Sequence, residues 1–520
     1  MLRGAFEQGG GAVDRVSSHR SWFSLISLCF ALFTIAFNIT GISNMLVSIA
    51  NEFSADLSSS QWVINSYFLI LASSVVIGGQ LGNLFGRRKM YLIGLAGFII
   101  GLIVGAFSVA TWLLIVSRII LAISSALIVP ASLSIINVIF DPESRKTAFS
   151  IFGAIIGFGF LAGPLLSGVI VDIFGWRWVF CFSIPLIVMA ALVALVAMPE
   201  SQDKEDNTLI DFGGVLFLGL AIFGIILFLD KSPNWGYSSL PSMMVLGISL
   251  ICLVVFFWVE LRVEKPLIHF MYFKERKFLA VNLAIFSINF SFMGLIYLFN
   301  IVFQNSLALN YGALDAGLAM LPMSICFFVV SLFAGKLMDW MGGKKLVIVG
   351  MLSIFIGSFY LALMPADVLY VQYVAPLMIF GAGIGFMTGP SQMIALNSVS
   401  GKNVGEASGI TNMICCIGGA IGVAVTSLIY SVVSKDQLNS LVQHMKLPAI
   451  DEQILEGWIV GAKFQSQSVL EKMDPALLSR LLQDVKQALF SGVSVAMFAM
   501  GVLCLLTALA CFFLIQDKKN

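Results

Sequence analysis

The sequence predicts an all-α membrane protein: two six-helix bundles with two further transmembrane helices inserted between them, fourteen in total. Three observations support this fold class. Of the 520 residues, 59% are hydrophobic and only 11% are charged, whereas about 25% of the residues in a soluble domain are charged. Apolar stretches of roughly 20 residues, long enough to cross a bilayer as helices, recur along the chain. A glycine-rich basic sequence also occurs once in each half.

Hydropathy divides the chain into two tails, two helical bundles and a linker. Residues 1–21 form a polar N-terminal tail without the apolar core of a signal peptide, and 516–520 form a C-terminal tail. Between them we assign 22–198 to an N-terminal bundle, 199–278 to a linker that carries the two inserted helices, and 279–515 to a C-terminal bundle. The predicted spans are 22–50, 60–82, 90–108, 112–138, 148–173, 177–198, 211–230, 242–262, 279–304, 314–338, 345–364, 369–396, 404–433 and 488–515.

Basic residues predict the orientation, because lysine and arginine in short loops stay cytoplasmic. Placing the N-terminus inside puts most of the basic residues there, including the clusters at 87–89, 145–146 and 344–345. The short outer loops keep only Arg177 and Lys231. Both termini are therefore expected in the cytoplasm, as an even number of spans requires.

A long outer loop, 435–487, separates the last two predicted spans. Near its end Asp474 and Pro475 supply an N-cap and a first helical residue, and apolar residues follow at helical spacing. We predict an amphipathic helix that lies on the outer surface. Two roles are open for it: packing onto the bundle, or docking an outer adaptor protein.

The glycine-rich basic sequence occupies 79–89 and returns in the same frame at 335–345. Pro130 and Asn137 of the fourth span recur similarly as Pro390 and Asn397 of the twelfth. The two halves are therefore expected to be related, with a hinge in each. The hinge residues that we expect to act in gating are Gly79, Gly86, Arg87, Arg88, Gly335, Asp339 and Gly342.

These features resemble the major facilitator superfamily over nearly the whole chain. The sequence 79–89 is similar to the family's motif A, and the glycines around Pro164 in the fifth span are similar to motif C of its antiporters. The segment 175–180, the sequence 211–214 and Glu260 look like the branch of fourteen-helix drug/proton antiporters. Glycines let helices approach closely and proline bends a helix, so we expect a helix-packing motif at Gly159, Gly163, Pro164 and Gly168.

The resemblance implies a secondary active transporter of a bacterial inner membrane. It implies proton-coupled efflux of small amphipathic compounds, of the multidrug type, by alternating access of a central cavity. Its expected partners are the lipid bilayer, a small-molecule substrate and protons. No cofactor, metal site or nucleic-acid partner is predicted.

Arg118 resembles the motif B arginine, which takes part in proton coupling in that family. A charge near the bilayer centre costs about 2.5–3.5 kcal/mol on insertion scales, so Arg118 should face a watery cavity or a partner. Two positions depart from the family. Asn38 stands where a helix-one carboxylate is expected, and Asn83 replaces the first aspartate of motif A. Neither amide can carry a proton.

The carboxylates near the membrane all lie within about two turns of a predicted helix end. Glu406 and Asp230 are the best candidate proton carriers among them, and interfacial anchoring is the alternative that we favour for both. A lone Arg118 in turn favours an anionic, zwitterionic or neutral polar substrate over a purely cationic one. The residues expected to contact substrate or to take part in coupling are Asn38, Tyr67, Arg118, Tyr297, Gln304, Gln392 and Asn412. Arg118 could instead be held only by helix carbonyls and nearby amides, and each of the others could instead hydrogen-bond one helix to the next.

Two other functions are open to the sequence. A facilitator or importer of a specific metabolite, without the usual proton coupling, would suit the missing helix-one carboxylate. A non-transporting membrane receptor or scaffold is an alternative of a different class. An enzyme is not expected, because the histidines His19, His269 and His444 are far apart in the sequence and nothing resembles a metal or acyl-transfer site.

Overall fold

A computed structural model of the chain describes residues 18–53, 57–200, 211–263, 266, 268, 270–305, 308–366, 369–398, 404–445, 459 and 475–515. Within these ranges the chain folds into helices, and no β-strand occurs. The helices are α1 Ser18–Phe53, α2 Leu57–Phe85, α3 Arg87–Ala106, α4 Thr111–Ile139, α5 Pro142–Phe174, α6 Arg177–Ala197, α7 Phe212–Trp235, α8 Leu240–Glu260, α9 Arg276–Gln304, α10 Ala313–Ala319, α11 Leu321–Met341, α12 Gly343–Ala362, α13 Val371–Asn397, α14 Val404–Met445 and α15 Pro475–Leu514, with a 3₁₀ helix at Phe270–Lys274.

The predicted all-helical membrane fold is confirmed. In the described part of the chain, 12 helices are long and apolar enough to cross a membrane. The long helices α2 and α7 contain the shorter apolar segments Trp62–Leu71 and Leu216–Leu229. The total of fourteen spans therefore stays a prediction.

Three helices differ from the predicted spans, and one of them, α14, continues to Met445, into the loop predicted at 435–487. The span expected at 314–338 is divided into α10 and α11, because Pro322 has no N–H to donate to the preceding turn. The amphipathic helix expected at the end of the long loop is the first part of α15, which runs without a break from Pro475 into the last span. There Leu481 and Val485 are buried, so this part of α15 packs onto the protein.

The long helices alternate in direction, which gives the molecule two ends. We call the end with the α2–α3 and α11–α12 turns, at Gly86 and Gly342, the hinge end, and the other the far end. Helix α1 packs on α5 and α6, and α4 packs on α2 and α3. In the second half α9 packs on α14 and α15, and α13 packs on α11 and α12, so the same pattern recurs.

The inserted helices pack against each other, and α7 also lies against α2 and α14. One of these neighbours comes from each half of the chain. Trp62 of α2 and Phe223 of α7 illustrate the contact, with ring centroids 5.3 Å apart. The inserted pair therefore lies beside the junction of the two halves.

The two hinge turns share one unusual backbone conformation. Gly86 has φ +101° and Gly342 has φ +83°, a region that side chains with a Cβ rarely adopt. Beside the first turn, Arg88 donates from Nη2 to the carbonyl of Leu195 at 2.7 Å and from its backbone N–H to Glu200 at 3.2 Å. Each turn allows the chain to reverse within one or two residues.

Replacing Gly342 with alanine should lower the free energy of unfolding by about 1–3 kcal/mol, because a Cβ strains this backbone. No atom lies within 4 Å of the position that the Cβ would take, so the cost is conformational. Gly86→Ala should cost more, because its Cβ would also meet the Glu200 carboxylate. Thermal and chemical unfolding of the detergent-purified protein measures both.

Gly335→Ala is the matched control, because Gly335 lies inside α11 and also has no atom near its Cβ position. Alanine is favoured over glycine in a helix, so this variant should be as stable as the wild type or slightly more stable. Equal stability of the Gly342 and Gly335 variants would contradict the strained-turn interpretation.

Candidate substrate site and gate

Arg118 of α4 lies at the centre of a buried polar cluster formed by α1, α2 and α4. Its side chain is only 1% exposed. Nε donates to the carbonyl oxygen of Val63 at 3.2 Å, and Nη1 donates to that of Asn38 at 3.4 Å. The guanidinium carbon lies 4.5 Å from the centroid of the Tyr67 ring. Backbone carbonyls and an aromatic face thus hold the cation.

No carboxylate compensates this charge within the described part of the chain, where Arg118 forms no ion pair. Nη2 is buried and has no hydrogen-bond partner. A buried cation without an anion is costly in a membrane, and an unpaired buried donor adds to that cost. Among the described residues the Arg118 charge thus lacks an anionic partner, and its Nη2 lacks an acceptor.

Other residues expected in the site hold helices together. Tyr67 donates through its hydroxyl to Ser125 at 2.8 Å, and Asn38 donates through Nδ2 to Ser183 of α6 at 2.9 Å. Tyr297 shares a hydrogen bond of 3.1 Å with Ser427 of α14. The serine partners were missed in the sequence, since serine is common in membrane helices and nothing in the spacing distinguishes these three.

The remaining candidates lie on helices other than the three that form the Arg118 cluster. Gln304, at the far end of α9, donates through Nε2 to Asn300 at 3.4 Å. Gln392 of α13 is exposed, and Asn412 of α14 is partly buried. The side chains of Glu406 and Asp230 lie outside what the structure describes, so their expected proton transfer stays a prediction.

The glycines of α5 pack it against both halves of the protein. A Cβ at Gly159 would meet Ala36, and one at Gly163 would collide with Thr40. These two glycines therefore allow α1 to pack closely on α5. A Cβ at Gly168 would instead meet the backbone of Ala313 and Leu314, so this glycine allows α10 of the second half to pack closely on α5. The carbonyl of Pro164 accepts a hydrogen bond from Asn44 Nδ2 at 2.5 Å.

The two halves are closed against each other at the far end of α5. Asp172 accepts hydrogen bonds there from the backbone N–H groups of Ala313 at 3.2 Å and Leu314 at 2.8 Å. Ring contacts between Phe160 and Phe327 continue toward the middle of the molecule. Gly153, further toward the hinge end, has no atom within 4 Å of its Cβ position. At Gly153 no described atom of the second half packs against α5.

A family model of transport proteins matches residues 28–423. The chain belongs to the Major Facilitator Superfamily. Members of this family are membrane transporters and not enzymes. The chain's membership of the antiporter branch with fourteen helices stays a prediction.

Several curated proteins are similar to this transporter. The tetracenomycin C resistance and export protein of Streptomyces glaucescens is 24% identical over 495 residues, which cover 95% of this chain and 91% of that protein. Multidrug resistance protein 3 of Bacillus subtilis (strain 168) is 27% identical over 420 residues, covering 78% and 80%. The riboflavin transporter RibZ of Clostridioides difficile (strain 630) is 26% identical over 415 residues, covering 79% and 89%.

Solved structures of the family share the fold. A bacterial homolog of the human lysosomal transporter Spinster, in an inward-facing and unoccupied conformation, matches with a TM-score of 0.63 and 15% identity. The match covers 96% of this chain and all of that structure. At this identity the likeness concerns the fold alone.

Asp172→Ala should favour opening at the far end, because it leaves the N–H groups of Ala313 and Leu314 without their acceptor. We expect the opening equilibrium to shift by about 3- to 30-fold. Spin labels at the exposed positions Phe107 and Leu363, which are 76% and 67% exposed, report the change as longer distances in electron–electron double resonance, after accessible native cysteines are replaced.

Asp315→Ala is the control, since it removes the same charge from an exposed position in α10. Its distance distribution should match that of the unsubstituted labelled protein. If the Asp172 and Asp315 variants gave the same distribution, the hydrogen bonds of Asp172 would not hold the far end closed.

Proposed function

We propose that this transporter exports small amphipathic compounds, of the multidrug type, from a bacterial cell by alternating access. Its relatives include proteins named for tetracenomycin C resistance and export, for puromycin resistance and for multidrug resistance. The related packing of the two halves and their contact at Asp172 support a rocking motion. We place the protein in the fourteen-helix drug/proton antiporter branch.

The substrate site is centred on Arg118, and its unpartnered Nη2 is the observation that carries the proposal. A substrate with a carboxylate, sulfonate or strongly accepting carbonyl would satisfy this donor and offset the buried charge. We therefore propose amphipathic anions, zwitterions and neutral acceptors as substrates, in preference to purely cationic drugs.

The orientation follows from the basic residues. We place the hinge end and both termini in the cytoplasm, and the far end outside. In this orientation the contact of Asp172 with the backbone of α10 lies on the outer side. The first part of α15 would then pack on the outer side, and an adaptor protein could dock there.

A specific metabolite transporter is the second candidate. The relative named as a riboflavin transporter favours it, as does Asn38 in place of a helix-one carboxylate. Such a carrier would accept one compound and would need no proton gradient. Substrate range and response to pH therefore distinguish the two candidates.

Arg118→Ala should reduce transport of an anionic amphipathic dye by about tenfold or more, because the site loses its only described cation. Transport of a dye of the same skeleton with a quaternary ammonium group should change less. Fluorescent uptake into liposomes containing the purified protein measures both rates. Arg480→Gln, which removes an exposed cation of α15, is the control and should transport like the wild type. Equal transport of the anion by the Arg118→Ala variant and the wild type would contradict the proposed site.

An imposed pH gradient tests the coupling. We expect the wild type to export the dye faster when protons flow in the opposite direction, and Glu406→Gln and Asp230→Asn to keep this response within about twofold. Abolition of the response by one substitution would identify that residue as the proton carrier. No response in the wild type would favour the metabolite facilitator.

A further inference from the structure

A cleft of about 270 Å³ opens at the hinge end between α8, the 3₁₀ helix, α9 and α14. Phe257, Phe270, Leu283, Phe286 and Ile417 are among its lining residues, and every lining residue except Asn282 is apolar. Phe257 and Leu283 are 44% and 42% exposed, so the cleft opens sideways toward the bilayer. It lies on different helices from the Arg118 cluster.

The cleft exists because α8 packs along α7 and not along the second half. Helix α7 in turn lies against α2 and α14, so α8 stands one helix away from α9. An apolar space of this kind in a membrane is filled by lipid chains, because no water is available and apolar cavities stay dry. Entry of a chain gains little free energy, since it exchanges one apolar surrounding for another.

A polar group lies inside the cleft. Asn282 is 2% exposed and donates through Nδ2 to the carbonyl of Phe278 at 2.8 Å, one turn earlier in α9. Its Oδ1 is buried without a hydrogen-bond partner. An amide has two N–H donors and one acceptor oxygen, so Asn282 can still bind the ester or hydroxyl groups found beneath a lipid headgroup.

Basic residues surround the mouth of the cleft. Lys274 and Arg276 are exposed and flank the lining residues Phe273 and Leu279, with Lys277 beside them. Arg262 is exposed and stacks on Trp258, its guanidinium carbon 4.2 Å from the ring centroid. Glu275 is the exposed acidic residue among them. The described mouth therefore carries an excess of positive charge at the membrane surface.

We infer that this cleft binds one anionic phospholipid of the hinge-end leaflet, with an acyl chain between α8 and α9 and the phosphate at the basic mouth. The acyl chain fits the apolar cleft, and Asn282 supplies a polar contact at the level of the lipid's glycerol group. Attraction between the phosphate and the basic side chains makes the binding selective for anionic lipids. The bound lipid fills the gap between the inserted helix pair and the second half.

Native mass spectrometry of the full-length protein in mild detergent tests this inference, with phosphatidylglycerol and phosphatidylcholine of identical chains as probes. We expect one phosphatidylglycerol to be retained under conditions that remove phosphatidylcholine. The double variant K274Q/R276Q should weaken phosphatidylglycerol binding on the order of 30-fold. Inorganic phosphate at millimolar concentration should not displace the lipid, because phosphate lacks the acyl chain that contributes to binding.

Two matched controls accompany the test. K89Q/K336Q removes two exposed cations of the same end and should retain the lipid. Leu283→Trp should fill the cleft and abolish retention, whereas Ile251→Trp, at an exposed position of α8 outside the cleft, should not. Thermal unfolding confirms that each variant is folded, and the surface double variant decides the result if Leu283→Trp does not fold.

Three results would overturn the inference. Equal retention of the two lipids by the wild type would remove the selectivity. Unchanged retention by K274Q/R276Q would separate the lipid from the basic mouth. A protein dimer lost in Leu283→Trp, in place of a bound lipid, would assign the cleft to a second copy of the chain.

Discussion

The burial of a single guanidinium among apolar helices is the constraint on which this structure depends. Arg118 is almost completely buried, and two backbone carbonyls and the Tyr67 ring hold it in place of a carboxylate. Such a cation is tolerated in a membrane only where its surroundings can be polar. The groups that hold it come from two other helices, α1 and α2, so the packing of these helices on α4 and the cost of the charge are coupled. A ligand that offsets the charge would change the relative stability of the packing arrangements.

The glycines make these arrangements possible. On α5, Gly159 and Gly163 bring the helix against α1, whereas Gly168 brings it against α10 of the other half. The same helix therefore packs closely on one bundle and contacts the other from its middle to its far end. Asp172 adds hydrogen bonds to two backbone N–H groups at that end. Contacts of this kind can break without disturbing the packing within a half, as a rigid-body motion requires.

The inserted helices give the molecule a third component. Helix α7 touches α2 and α14, one helix from each half, so any rocking of the halves must slide along it or carry it. Helix α8 lies outside α7 and leaves an apolar cleft beside α9. A lipid in that cleft would join the inserted pair to the second half. The lipid composition of the membrane would then influence how freely the halves move.

The sequence by itself determined the membrane fold, the order of the helices and the positions of the two glycine turns, because hydropathy and glycine spacing are local properties of the chain. The positive φ angles of Gly86 and Gly342 agree with the repeat that the sequence contains. The break before Pro322 and the continuity of α15 needed the structure, since a hydrophobic profile does not show where a helix is interrupted or joined.

Only the tertiary structure decided which polar residues meet. Asn38 and Tyr297 bond to Ser183 and Ser427, residues far away along the chain, and Asp172 reaches the backbone of another helix. These partners depend on which helix faces lie together, and the pattern of a single helix does not specify that. For the same reason the sequence located Arg118 but not its free Nη2, which results from the positions of all the neighbouring helices at once.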